Sequence, residues 1–250
     1  MSTVETNPSL PNRQPKPDWL GYDAYVFDID GTLLSSAGMV HYNAFKAALR
    51  DVYGCERDIT EVPLHGNTDI GILRATTRLS GVKDELFSEK LQPALAYIRD
   101  HAKQNQSRIT IKLCPSIAEL VPFLHAKGKL LGLATGNLEV IGWMKMEAAG
   151  LRRYFDFGAF SDHHEKRSDI FAAALVEARR RLGKEARVCF IGDTPADIEA
   201  AHLNNCAVIA VATGIHSYEQ LQALLPEFCL RCCDELVMAE SGSARTERSR

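Results

Sequence analysis

Four stretches of the chain run apolar without alternation, at strand length: "DAYVFD" (23–28), "KLLGLAT" (129–135), "ARVCFIGD" (186–193) and "AVIAVAT" (207–213). Continuous apolar runs of this length suit strands of a parallel sheet covered on both faces. Between the later runs the period changes to that of a helix. In "SDIFAAALVEARRRLG", apolar residues recur at Ile170, Phe171, Ala174, Leu175, Ala178 and Leu182, and the pattern stops at Gly183. "PADIEAAHLNN" reads as the next helix, with Pro195 in its first turn. Strands alternating with helices predict an α/β fold, a doubly wound parallel-sheet core of Rossmann type.

One interval breaks the alternation. About a hundred residues separate the first strand from the second, and they carry helical patterns almost throughout. "HYNAFKAALRDVYG" spaces Tyr42, Phe45, Leu49 and Val52 helically; "DIGILRATTRLSG" and "DELFSEKLQPALAYIRDHAKQ" follow. At Ser116, read as a helix cap, "SIAELVPFLHAKG" resumes the core pattern. The expected organisation is a core of residues 18–37 and 111–239 with a helical cap inserted at 38–110. Its two crossings, near Ser35–Met39 and Ser107–Cys114, form a natural hinge. The polar, proline-rich 1–17 and the last residues, 240–250, read as mobile tails.

Composition narrows the function classes. The 250 residues are 46% hydrophobic and 24% charged, with a net charge of −3, so the basic field of a nucleic-acid binder is absent. No run of about 18 apolar residues predicts a membrane span, and the opening stretch lacks the character of a secretory signal. Seven cysteines, scattered mostly in apolar context, fit reduced thiols and a cytoplasmic location. Cys229, Cys232 and Cys233 resemble half a metal site without a second half beside it. No exposed apolar stripe decides between monomer and homodimer.

In open α/β sheets, ligands bind beyond the carboxyl ends of the strands. Asp28 and Asp30 follow the first strand, Thr135, Gly136 and Asn137 the second, and Asp193 and Asp197 the third. Any one of these is an ordinary cap or turn; three in succession point to a site. Asp28, Asp30 and Asp193 gathered together repel one another unless a cation intervenes, and an oxygen-rich set suits Mg²⁺. One carboxylate then serves as nucleophile toward phosphorus, while the other, two residues on, handles protons.

The stretches "DIDGTL", "LATGN" and "IGDTPADI", in this order, resemble the first, second and fourth motifs of the haloacid dehalogenase superfamily, closest to its phosphoglycolate-phosphatase-like hydrolases. The resemblance runs from about Ala24 to Thr213 and includes a helical cap after the first motif. It implies a Mg²⁺-dependent phosphatase acting on a small phosphorylated metabolite, phosphoglycolate-like, through an aspartyl-phosphate. Asp28 is the implied nucleophile. Asp30 is the implied acid/base and metal-side residue, with its backbone carbonyl on the ion. Thr135 and the Gly136 backbone hold the phosphoryl group, Asn137 stands beside it, Asp193 ligates the metal, and Asp197 supports the metal or holds its loop.

The third motif departs from the family pattern. "SDHHEKRSDIF" lacks the expected proline and offers both Lys166 and Arg167; Arg167 is favoured because it opens the next helix and a guanidinium suits phosphate. His163 and His164 read as an exposed polar loop. In the insert, His65 and Asn67 of "LHGNTDIGI" are candidates for substrate contact, although Thr68 or Asp69 as a helix cap explains the same stretch. Arg74 and Arg78, four apart, could recognise a carboxylate or form a solvated face. Alternative activities are a phosphosugar mutase, a phosphonate hydrolase using Lys46, a haloacid dehalogenase, and a non-catalytic phosphate-binding protein.

Overall fold

The first strand, β1 (Ala24–Phe27), is buried on both faces, and its alternation divides the core. Tyr25 and Phe27 join one apolar cluster, Ala24 and Val26 the other. The structure is a computed structural model that describes residues 18–36 and 38–238; the tails expected from composition lie outside the described residues.

After β1 the chain forms a short strand, β2 (Leu34–Ser36), and three helices, α1 (Val40–Tyr53), α2 (Asp69–Leu79) and α3 (Asp84–Gln104). It returns through β3 (Ile111–Leu113), antiparallel to β2. The two expected crossings are therefore one hydrogen-bonded ribbon. Alternation then resumes with α4 (Ile117–Ala126), β4 (Leu130–Ala134), α5 (Glu139–Ala148), β5 (Phe157–Ala159), α6 (Arg167–Leu182) and β6 (Val188–Gly192). The final elements are α7 (Pro195–Leu203), β7 (Ala207–Val211), α8 (Tyr218–Gln222) and β8 (Phe228–Leu230).

Six strands pair in the order β5-β4-β1-β6-β7-β8, all parallel. β1 lies in the middle, and the winding reverses beside it, which opens a crevice at its carboxyl end. Helices α4 and α5 supply Leu120, Leu124 and Met146 to one face, while α6 and α7 supply Phe171, Ala174 and Ile198 to the other. This is the expected doubly wound core.

Helices α1–α3 bury a third cluster around Phe45, Leu49, Leu73, Leu95 and Ile98. That cluster also includes Leu138, Ile141 and Met144 at the start and along one side of α5. The apolar stripe of the inserted helices is thus completed by a core helix. Ser116 departs from its reading as a side-chain cap. It adopts φ 57°, makes no capping bond, and donates its hydroxyl to Asp234 instead.

Candidate active site

The backbone N–H of Asp28 donates to Ile191 O at 2.9 Å, so the residue is still anchored to the central ladder where β1 ends. The chain then turns sharply, with Gly31 N–H donating to Leu34 O at 2.8 Å. Gly31 has φ +87°, and a Cβ there would lie 2.2 Å from Asp193 Oδ2. Glycine is required twice over, by the left-handed turn and by the carboxylate packed against it. Thr32 Oγ1 donates to Asp193 Oδ1 at 2.8 Å, tying the β1 turn to the end of β6.

Asp28, Asp193 and Asp197 are buried, and oxygens of all three lie within 4.8 Å of one another. Among the described residues this is the one cluster of three or more such groups close enough to hold a metal. Burial pushes the Asp28 carboxyl up, and Asp197 and Asp30 add to that; Arg167 and, more weakly, the Ile29 backbone N–H pull it down. Burial and then the carboxylates of Asp28 and Asp197 likewise push Asp193 well above the usual range. One guanidinium faces three carboxylates, and the deficit of positive charge is what a divalent cation relieves. The oxygen donors suit a hard ion.

Arg167, buried at the start of α6, is that guanidinium. Its Nη2 lies 3.0 Å from Asp28 and 2.6 Å from Asp197, and its Nε donates to Asp197 at 2.7 Å. Burial disfavours its charge, but Asp197 and Asp28 outweigh that and raise its pKa. The contacts of Nη2 are close without hydrogen-bond alignment, so its N–H groups lack an acceptor within the protein. Asp197 has no such spare capacity. Its other oxygen accepts from Thr194 N at 3.0 Å and Thr194 Oγ1 at 2.7 Å, closing a capping box at the start of α7. It therefore holds Arg167 and the β6–α7 loop.

Asp30 belongs to a second network. Its Oδ2 accepts from Lys145 Nζ at 2.6 Å and Asn137 Nδ2 at 2.9 Å, and Ser36 Oγ donates to Oδ1 at 3.1 Å. Burial pushes its carboxyl up, but the Lys145 ammonium and these hydrogen bonds hold it at about 2. Lys145 also donates to Asn137 Oδ1 at 2.8 Å, and Asn137 Nδ2 reaches Thr135 Oγ1 at 2.8 Å. Asp28, Asp30, Thr135 and Asn137 thus stand at one mouth of the sheet, linked through two cations.

The loop before α2 closes over this mouth. Asp69 N–H donates to Gly136 O at 2.8 Å, and Thr68 Oγ1 donates to Glu165 O at 2.6 Å. Asp69 Oδ2 accepts from Leu138 N at 2.8 Å and faces His41 Nε2 at 3.0 Å. Asn67 O lies only 2.2 Å from where a Gly136 Cβ would be, so the close approach requires glycine there. Beneath the loop is a cavity of about 300 Å³. Asp28, Asp30, Thr135, Gly136, Asn137, Lys145 and Arg167 form its floor, and His65, Gly66 and Asn67 stand at its rim.

The candidates from the sequence divide accordingly. Asp28, Asp30, Thr135, Gly136, Asn137, Arg167, His65 and Asn67 line the cavity; Asp193 and Asp197 stand just behind Asp28. Thr68 caps α2, as the plainer reading of that loop had it. Lys166 is exposed at the cap position of α6 and does not line the cavity. Arg74 pairs with Glu165 and Asp84, Arg78 with Asp84, and neither reaches the cavity. His163 and His164 line a different surface groove, and Lys46 is exposed. Cys229, Cys232 and Cys233 form no metal cluster among the described residues.

Lys145, His41 and Asp69 are functional neighbours that motif reading missed. Lys145 had a signal. It lies four residues after Ile141 and seven after Leu138, on the face that α5 buries, and a lysine on an apolar stripe needs a partner.

The chain is similar to known proteins over most of its length. The chain is 28% identical over 221 residues to the "Probable phosphatase IndB" of Dickeya dadantii (strain 3937), covering 86% of this chain and 91% of that one. It is 26% identical over 231 residues to the "Phosphoglycolate phosphatase" of Escherichia coli (strain K12), covering 86% and 90%. A crystal structure described as a predicted phosphoglycolate phosphatase from Haemophilus somnus 129pt superposes with a TM-score of 0.63 at 18% identity, over 88% of this chain and 98% of that one. Among the described residues no helix is long and apolar enough to cross a membrane. The sequence pattern of the haloacid dehalogenase-like hydrolases matches residues 22–204, and with its parallel sheet and buried carboxylates the chain belongs to that family of hydrolases.

Proposed function

We propose that the protein is a cytoplasmic, Mg²⁺-dependent phosphatase that hydrolyses a small phosphate monoester through an aspartyl-phosphate on Asp28. The observation that carries this reading is the pairing of buried Asp28 with an Arg167 Nη2 at 3.0 Å whose N–H groups have no aligned acceptor, at the floor of a cavity of about 300 Å³. A phosphoryl oxygen supplies such an acceptor.

Asp28 and Asp193 would hold the ion, with the Asp30 backbone carbonyl beside them. When bound, Mg²⁺ supplies the positive charge these carboxylates lack and offsets that of the phosphoryl group. Asp28 attacks phosphorus: a carboxylate oxygen bonds to it as the ester oxygen departs with the bonding pair and takes the proton that Asp30 carries from the preceding turnover. Thr135 Oγ1, the Gly136 backbone and Arg167 orient the transferring group. Asp30, held ionised by Lys145, suits the second half. There it takes a proton from the water that attacks phosphorus and releases Asp28. Helices α1–α3 act as a cap whose closed loop keeps bulk water from the first half.

Lys46, the lysine a phosphonate hydrolase would have drawn on, is exposed and does not line this cavity, and the lysine that does, Lys145, is paired with Asp30. The relatives' names put phosphoglycolate first on an assay panel of small esters. Phosphate release should require Mg²⁺ and stop with EDTA, and Asp28→Asn should lower it by about 10³-fold or more with an unchanged circular-dichroism spectrum. Substantial release by Asp28→Asn would remove the nucleophile assignment.

A further inference from the structure

The cavity has two unlike halves. Its floor is charged, but its roof is apolar: Tyr42 and Phe45 of α1, Ile59 and Leu64 of the following loop, and Ile72 of α2. Tyr42 commits its hydroxyl to Asp58, so its ring is what remains for a ligand. Whatever alcohol is attached to the phosphate must lie against this roof.

The charges around that position decide which alcohols fit. The roof carries neither lysine nor arginine. Arg74, the nearest arginine of α2, is pinned outside by Glu165 at 2.5 Å and Asp84 at 3.2 Å, with its guanidinium stacked 4.2 Å over the Phe87 ring. Of the two cations of the floor, Lys145 is paired with Asp30, and Arg167, held by Asp28 and Asp197, has its remaining N–H groups for the phosphoryl group. His41 faces Asp69. Asn67 uses its Oδ1 on Thr68 N and its Nδ2 on Pro63 O. Three carboxylates, Asp28, Asp30 and Asp69, line the same space. An alcohol bearing a carboxylate would therefore lose its hydration against the apolar roof with no free guanidinium or ammonium to receive it.

Resting on the phosphatase reading, we infer that the substrate is a phosphate monoester of an uncharged alcohol with an apolar, ring-sized body, rather than a phosphorylated hydroxy acid such as phosphoglycolate. The apolar body packs against Tyr42, Phe45, Ile59, Leu64 and Ile72. His65, exposed at the rim and without a side-chain hydrogen bond among the described residues, is the polar group left to meet a hydroxyl or carbonyl on it.

Benzyl phosphate and phosphoglycolate test this directly, because both release a primary alcohol and differ in charge and apolar surface. With Mg²⁺, kcat/KM for benzyl phosphate should exceed that for phosphoglycolate at least about tenfold, the scale of one well-filled apolar contact. An equal or reversed ratio overturns the inference. Leu64 is half-buried in a loop, so Leu64→Arg tolerates its charge; it should move the ratio toward phosphoglycolate by a similar factor, and an unmoved ratio counts against the inference. Calorimetry with benzylphosphonate and phosphonoacetate reads the same preference without turnover. If neither ester releases phosphate and Asp28→Asn matches the wild type, the phosphatase reading fails. Tighter binding of benzylphosphonate would still support the roof's selectivity, and tighter binding of phosphonoacetate would overturn it.

Discussion

Asp197→Asn isolates the ion pair that positions Arg167. Asp197 is fully buried and its two oxygens accept three aligned hydrogen bonds, one from Arg167 Nε and two from Thr194, with Arg167 Nη2 close beside at 2.6 Å. Removing one partner from a buried ion pair costs about 3–5 kcal/mol. Arg167 keeps Asp28 at 3.0 Å, and an amide oxygen can still accept from Thr194, so the lower end applies, about 3 kcal/mol. For a domain of this size that corresponds to a Tm lower by about 6–12 °C. Urea denaturation at pH 7 in EDTA measures it without metal linkage. Arg167→Met leaves three carboxylates facing one another and should cost a comparable amount. The double variant should then fall short of the sum by about 1–3 kcal/mol, because the groups share one network. Activity should drop about 10²-fold, mostly in kcat, as the guanidinium loses its orientation. A loss below about 1 kcal/mol, or single costs that add to within about 0.5 kcal/mol, would refute the argument.

Three further outcomes are expected. Arg167→Ala should impair phosphate release far more than Lys166→Ala, since only Arg167 lines the cavity; the reverse order in parallel assays would reassign the third-motif cation. Asp28 and Asp193 are held protonated further up the pH scale than unfolded carboxyls, so above about pH 4 the metal-free folded state binds the extra protons and its stability declines as pH rises. Thermal scans at pH 5 and pH 8 should therefore show a larger Mg²⁺-induced rise in Tm at pH 8, flattened in Asp193→Asn; equal rises in the wild type contradict the linkage. Lys145→Met should lower kcat about 10-fold or more and shift the acid limb of the pH–rate profile upward, because Asp30 loses the cation that holds it at about 2; a superimposable profile would detach Lys145 from catalysis.

The core was legible where burial on both faces writes uninterrupted apolar runs, as in β1, β4, β6 and β7. β5 and β8 escaped because three residues each, "FGA" and "FCL", are too short to show any period. Helix α5 escaped because it packs against both the core and the inserted helices, which erases the one-sided stripe a surface helix displays. The carboxylates and Thr135 could be read because short-range motif chemistry fixes them to strand ends. The partnerships could not. Asp197 was expected to support the metal or hold its loop; that its oxygens engage residues 30 and 3 positions away is set by folding, which alone brings Arg167 to it. Arg74 and Arg78 read as a carboxylate site or a solvated face, and nothing local reveals that Glu165 reaches Arg74 from 91 positions away.

The shared burial of Leu138, Ile141 and Met144 has a mechanical consequence. Helix α5 begins immediately after the Thr135–Asn137 loop and carries Lys145 to Asp30, while its flank is packed into α1–α3. Lifting the inserted helices away on their two threads alone would expose Leu138, Ile141 and Met144 to water. To admit a molecule they must slide along α5, as packed helices do in shear, or take α5 with them. Either route transmits the movement to Thr135, Gly136 and Asn137, the residues proposed to hold the phosphoryl group. Admission at the roof and the setting of the floor become one event, and a side chain such as Met144, far from any reacting atom, acts as the gear between them.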